Sequence, residues 1–187
     1  MNLIYYDENG IVTAVRTGTR FSLEREHEAN DNCILVDGDI PDFPYVKDGE
    51  VLSRSEAPKP GWFSFNPVEG NWQFDLESAR EEVWSHMKYK REKAEFGEFQ
   101  WGGYVFQCDE ISQRRIQGAV QLAAIDDTMT LAWTLADNSV QTFNAADYVQ
   151  IGLALASHVS ECHERGRILR QEIESATTQA ELEAIVW

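Results

Sequence analysis

The chain is 187 residues long, enough for one large domain or two small ones, and with 43% hydrophobic and 11% aromatic residues it can bury a real core. Its 32 acidic and 16 basic side chains leave a net charge of -16, which repels phosphate backbones and anionic lipid surfaces and so excludes nucleic acid and membrane as direct partners. The charge is not a tail: residues 1–75 hold 14 acids and 6 bases and residues 76–187 hold 18 and 10, so each part carries -8, the pattern of solvated surface on both.

The chain opens on short β-prone runs. Leu3–Tyr6 and Ile11–Val15 flank Asp7-Glu8-Asn9-Gly10, and Asn-Gly is a turn pair because both residues tolerate positive φ, so a hairpin is predicted there. The N-terminus lacks a basic region followed by a long apolar stretch, and no segment approaches the length of a membrane span; a soluble protein without a standard secretion signal is expected. The polar stretch Glu24–Asn32 reads as an exposed loop. A second hairpin is predicted at Tyr45–Leu52 around Asp48-Gly49, and a third from Trp62–Phe65 and Trp72–Phe74 around Glu69-Gly70. Pro41, Pro44, Pro58 and Pro60 punctuate these runs, since proline cannot donate a ladder hydrogen bond, and the three hairpins are expected to make one small sheet.

At Asp75 the period changes. Asp75 can cap a helix from Leu76 towards Glu95, with Leu76, Ala79, Val83, Met87 and Ala94 on one face and Gly97 as its stop, and the domain boundary is placed there. Phe99–Cys108 is aromatic and β-prone, with Gly102-Gly103 as a tight turn. Asp109 can then cap a second helix to about Ala124, whose inner stripe is Ile116, Ala119, Val120 and Ala123. Met129–Leu135 and Ser139–Phe143 flank Ala136-Asp137-Asn138 as a hairpin. The longest element is predicted from near Ala145 to near Ile173, about eight turns, because Tyr148, Ile151, Leu155, Cys162, Leu169 and Ile173 recur at steps of three, four or seven. Thr178-Gln179-Ala180-Glu181 matches a capping box and starts a last short helix. The expected fold is α+β: a small antiparallel β module over residues 1–75, then a mainly helical domain over 76–187 with one inserted hairpin, about 129–143.

No motif in this pattern carries covalent chemistry. His158 and Cys162 lie one helical turn apart, as two zinc ligands could, but His163 points roughly 100° away from Cys162, and nothing nominates a third ligand; Cys162 is expected in the core. There is no Gly-x-Ser-x-Gly elbow, no phosphate-binding loop, and no thiol-enzyme signature around Cys33, Cys108 or Cys162, whose odd number and wide spacing fit free thiols in a reducing compartment. Acidic neighbours such as Asp109-Glu110 and Asp126-Asp127 are what 32 acids produce by chance. No catalytic residue, metal site or cofactor is expected. The six tryptophans carry more information, because Trp buries a large area with few rotatable bonds and is enriched at interface centres. Trp101 and Trp133 are expected in the core, whereas Tyr5, Tyr45, Trp62, Trp72 and the terminal Trp187 are candidate partner-binding residues.

The segment Gly97–Gly118, with Phe99-Gln100-Trp101-Gly102-Gly103-Tyr104 and Cys108-Asp109-Glu110-Ile111-Ser112, resembles a C-terminal domain family of uncharacterised function found in tailed-bacteriophage proteins. Trp133–Asn138, the long helix with His158, His163 and Arg170, and the ending Ala184–Trp187 follow in the order of that family, over roughly residues 79–187. Ile4-Tyr5-Tyr6-Asp7 leading to Asn9-Gly10, with Val46–Glu50, is similar to the front end of phage tail-fibre assembly proteins. The resemblance implies a non-enzymatic partner of a tail-fibre or baseplate protein, present in the host cytoplasm during assembly, with retention in the virion tail and self-association left open. It implies an assembly chaperone or, as an alternative, an accessory subunit of the tail. An acidic DNA mimic that blocks a host nuclease is a third reading, disfavoured because Arg114, Arg115, Arg165, Arg167 and Arg170 interrupt the negative field.

Overall fold

A computed structural model describes residues 1–187, and its fold is α+β, with five helices and eleven strands in small antiparallel sheets. The chain divides into two compact units, Met1–Ala79 and Arg80–Trp187. The division falls within the first turn of the helix that begins at Leu76, a few residues beyond the period change at Asp75.

In the first unit, β1 (Asn2–Tyr6) is the centre of a three-stranded sheet, paired antiparallel with β2 (Val12–Thr17) and with β3 (Cys33–Val36). Leu3 lies opposite Leu35 and Tyr5 opposite Cys33, and that face packs with Leu23 into a small core. Leu23 belongs to α1 (Arg20–His27), a helix where the polar composition predicted a loop. Thr19 caps it by accepting from the Ser22 amide, and Arg20 pairs with Asp37 at 2.5 Å. Leu23 is its single buried residue while Phe21 is 80% exposed, so no apolar stripe announces the helix. The hairpins β4–β5 (Pro44–Lys47, Glu50–Ser53) and β6–β7 (Phe63–Asn66, Asn71–Phe74) form where expected, but as separate two-stranded sheets and not one. A single bridge, Ile11 to Tyr45, links the first hairpin to the second. Gly10 makes it possible: at φ +84° its carbonyl accepts from the Val46 amide at 2.8 Å, and a Cβ there would stand 2.1 Å from the Val46 oxygen.

The second unit holds most of α2 (Leu76–Glu95), the hairpin β8–β9 (Glu98–Trp101, Tyr104–Gln107), α3 (Glu110–Ala123), the hairpin β10–β11 (Thr130–Thr134, Val140–Asn144), α4 (Ala145–Ser175) and α5 (Gln179–Ala184). It therefore contains two hairpins where one was predicted, because the aromatic run Phe99–Cys108 folds back on Gly102 and Gly103, both at positive φ. One core gathers these elements. Phe106 is fully buried at the centre, 5.2 Å from Phe99 and 5.6 Å from Phe143 between ring centroids, and Tyr148 of α4 meets Phe143 edge to face. Asp109 caps α3 through the Ile111 and Ser112 amides, Asn144 and Asp147 form a reciprocal capping box on α4, and Thr178 and Glu181 do the same on α5. Arg80 closes the far end of α4 by donating to the carbonyls of Glu174 and Ala176.

Candidate functional site

Of the five aromatic residues predicted to face a partner, four belong to the first unit and Trp187 to the second; among the four, Tyr45 and Trp72 both pack against the Phe65 ring. Tyr45 and Trp62 are 7% and 3% exposed: Tyr45 stacks edge-on against Phe65, and Trp62 lies under the Lys59 ammonium, 3.2 Å from its ring centroid. Trp72 is half-buried, with Nε1 donating to the Ser55 carbonyl at 3.1 Å and the Arg54 guanidinium over its ring. The Tyr5 hydroxyl donates to Glu26, which also receives Arg16; the tyrosine bond, first, and the arginine pull the Glu26 carboxyl below its usual range. Trp187, half-buried, is held by its own unit, with Arg165 over its ring at 5.6 Å and donating to the Val186 carbonyl.

The His158–Cys162–His163 cluster is likewise committed within the unit. His158 Nε2 lies 3.1 Å from the Ala94 carbonyl, His163 Nε2 lies 3.2 Å from Glu95, and Cys162 is buried. No group of three or more His, Cys, Asp or Glu side chains is placed to hold a metal ion. Burial raises the thiol pKa of Cys33, Cys108 and Cys162, which keeps all three protonated and weakly nucleophilic near neutral pH.

Two clefts in the second unit went unannounced by the sequence. The first, about 460 Å³, lies between α3 and the hairpin β10–β11; Gln107 of β9, Ser112, Arg115 and Gly118 of α3, and four consecutive residues of β10, Leu131–Thr134, line it. Trp133 adds a buried Nε1 that has no acceptor. Arg115 is exposed and makes no ion pair or hydrogen bond, in contrast to Arg114, which bonds the Glu110 carbonyl. The second cleft, about 710 Å³, runs between α3 and α4 over Val120, Val149, Leu153 and Val159, and no charged residue lines it. Gly152 lets the two helices approach there, since a Cβ would stand 2.6 Å from Val120 Cγ2. The physical signals were present in the sequence, in the uncharged run Tyr148–Ser160 and in the Thr130–Thr134 strand, but which surfaces meet them depends on how the helices pack.

No helix is long and apolar enough to cross a membrane. Among protein families, the model of a domain of unknown function, DUF4376, matches residues 78–186, more than half the chain. No curated protein and no solved structure matches.

Proposed function

We propose that this chain, which belongs to the DUF4376 family, is a non-enzymatic binding protein of a tailed bacteriophage that acts as a tail-fibre assembly chaperone in the host cytoplasm. The tail assignment rests on the sequence resemblance of residues 97–118 and of the N-terminal hairpin. The binding role rests on one structural observation: four of the five sheets are single hairpins, so the protein presents short unpaired strand edges. A strand edge is a row of unused N–H and C=O groups, and it recognises another extended chain by completing a ladder. Fibre proteins are rich in β-structure and slow to fold, and they expose such chains before they trimerise.

Co-expression with the cognate fibre or baseplate protein tests the proposal. A complex on size-exclusion chromatography and a larger yield of folded fibre trimer are expected, with the chaperone absent from purified virions. Neither complex nor gain in trimer would overturn it, and fixed-stoichiometry retention in virions by mass spectrometry would replace the chaperone with an accessory subunit.

A further inference from the structure

The hairpin β10–β11 has one edge whose bonding can be read residue by residue. The Leu135 amide donates to the Ser139 carbonyl at 2.8 Å, next to the pair Thr134–Val140, so the groups bonded to β11 are those of Leu135, Trp133 and Leu131. In an antiparallel ladder the intervening residues turn their N–H and C=O the other way, which directs those of Ala132 and Thr134 away from β11. No strand pairs with β10 on that side. The nearest is β9, which reaches the edge with one bond, Ala136 N–H to the Val105 carbonyl at 3.0 Å, and goes no further.

The cleft lies along this edge. Side chains alternate between the two faces of a strand, so a cleft over one face of β10 would meet every second residue; this one meets Leu131, Ala132, Trp133 and Thr134 in succession, as only a space beside the backbone can. Its opposite wall is α3, low at Gly118, where a side chain would meet nothing within 4 Å. Four strand residues span about 13 Å, room for one short extended segment. The charge pattern narrows the occupant. Arg115 overhangs the cleft without an acidic partner although the chain carries 32 acids, and its guanidinium presents a planar fork suited to a carboxylate.

We infer that the slot between β10 and α3 binds an extended segment of a partner protein by strand addition to Ala132 and Thr134, with an acidic side chain of that segment seated on Arg115. This rests on the binding role proposed above and names its surface. The partner's alternate N–H and C=O groups pair with β10, one set of its side chains faces α3 at Gly118 and Leu122, and the rest face solvent.

Selection of a bead-bound random heptapeptide library on the intact protein supplies the probe. The enriched peptides are expected to alternate β-branched or apolar residues and to carry an acid. On adding the synthetic peptide, hydrogen exchange at the Ala132 and Thr134 amides slows by about tenfold or more. Methylating one alternating set of peptide nitrogens weakens binding by at least about tenfold, and methylating the other set has little effect. Arg115→Ala weakens the acidic peptide about tenfold and leaves its Asn or Gln counterpart unchanged. Failure to enrich any peptide, an enriched peptide that leaves both amides unprotected, or insensitivity to which nitrogens are methylated overturns the inference. If peptides bind this edge but no fibre or baseplate protein associates, the tail assignment falls and the slot stands. If the fibre binds while both amides exchange freely, the reverse holds.

Discussion

Gly152→Ala is a sharp test of how the second unit is packed, because the two forces on that position oppose each other and their sizes are known. A glycine inside a helix costs about 0.8–1.0 kcal/mol relative to alanine, so on propensity alone the substitution stabilises α4. The added Cβ, however, would stand 2.6 Å from Val120 Cγ2, against about 3.5–4.0 Å for ordinary carbon contact. Val120 cannot swing aside cheaply, since a β-branched side chain in a helix has one strongly preferred rotamer. Overpacking of this kind costs about 1–3 kcal/mol, which leaves a net destabilisation of up to about 2 kcal/mol. The separation comes from a double-mutant cycle in urea, followed by far-ultraviolet circular dichroism. Val120→Ala removes the obstructing methyls, so Gly152→Ala in that background should stabilise by about 1 kcal/mol, with a coupling of about 1–3 kcal/mol between the two changes. Gly118→Ala on α3 calibrates propensity alone, since nothing lies within 4 Å of its Cβ position. If Gly152→Ala stabilised the protein as Gly118→Ala does, and the cycle closed additively to within about 0.5 kcal/mol, the close approach of α3 and α4 would be refuted.

Gly10→Ala should destabilise the first unit by about 2–4 kcal/mol, because it forces φ +84° on a side chain and drives its Cβ to 2.1 Å from the Val46 carbonyl; amide exchange in β1 and β4 reads the loss. Asn144→Ala should cost about 1 kcal/mol by opening the capping box of α4, and Asn144→Ser should recover most of it, both by thermal unfolding. Burial raises the folded-state pKa of Cys33, Cys108 and Cys162 and of Tyr148, so their contribution to stability is whole below the unfolded values, about 8.5 for thiols and 10 for tyrosine, and is lost as pH rises through the folded ones. Denaturant midpoints should therefore fall on the alkaline side, and a thiol reagent should modify none of the three cysteines until the chain unfolds. Asp75, Asp109 and Asp126 have lowered pKa values from hydrogen bonds donated by Ser78, Ser112 and Thr128, so their contribution is whole above about 3.9 and is lost as pH falls through the folded values, giving a second decline in acid.

In the second unit α3 and α4 were legible because each declares itself twice, by a cap and by a period, while α5 declares itself by its capping box, with Leu182 its single buried residue. Asp109 and Thr178 cap where the sequence places them, and Tyr148, Ile151, Leu155, Cys162, Leu169 and Ile173 are all buried along α4. α1 has a cap but no period, since only Leu23 turns inward, and one buried residue is no repeat. β3 is four residues whose strand character comes from pairing with β1 some thirty positions away, a partner that no local turn signals. Turn pairs such as Asn9-Gly10 and Asp48-Gly49 encode hairpins but are silent on whether hairpins join, and here the single Ile11–Tyr45 bridge is all that links two of them. The burial of the aromatic candidates was not legible for a related reason. Side-chain type gives the area a residue can bury and not the side of the surface on which it does so, and Tyr45 and Trp62 are buried within the chain.

The open edge of β10 is a hazard as well as a site, since an unpaired strand invites aggregation as readily as recognition. Three features restrict it. The accessible stretch is only Leu131–Thr134, with β9 already bonded to Ala136 at one end, so no long ladder can form. α3 walls the cleft opposite the strand, at Gly118 and Leu122, so whatever pairs with the edge has to fit between helix and strand. Finally, every copy of the chain carries -16, so like molecules repel before an edge can meet an edge, while Arg115 gives a local attraction to a partner that brings an acid to this one place. Charge reversal at Arg115 separates these roles: Arg115→Glu should abolish capture of the acidic peptide without promoting self-association, because the field of the remaining surface is enough to keep copies apart. Concentration-dependent oligomers of Arg115→Glu by analytical ultracentrifugation would contradict that division of labour.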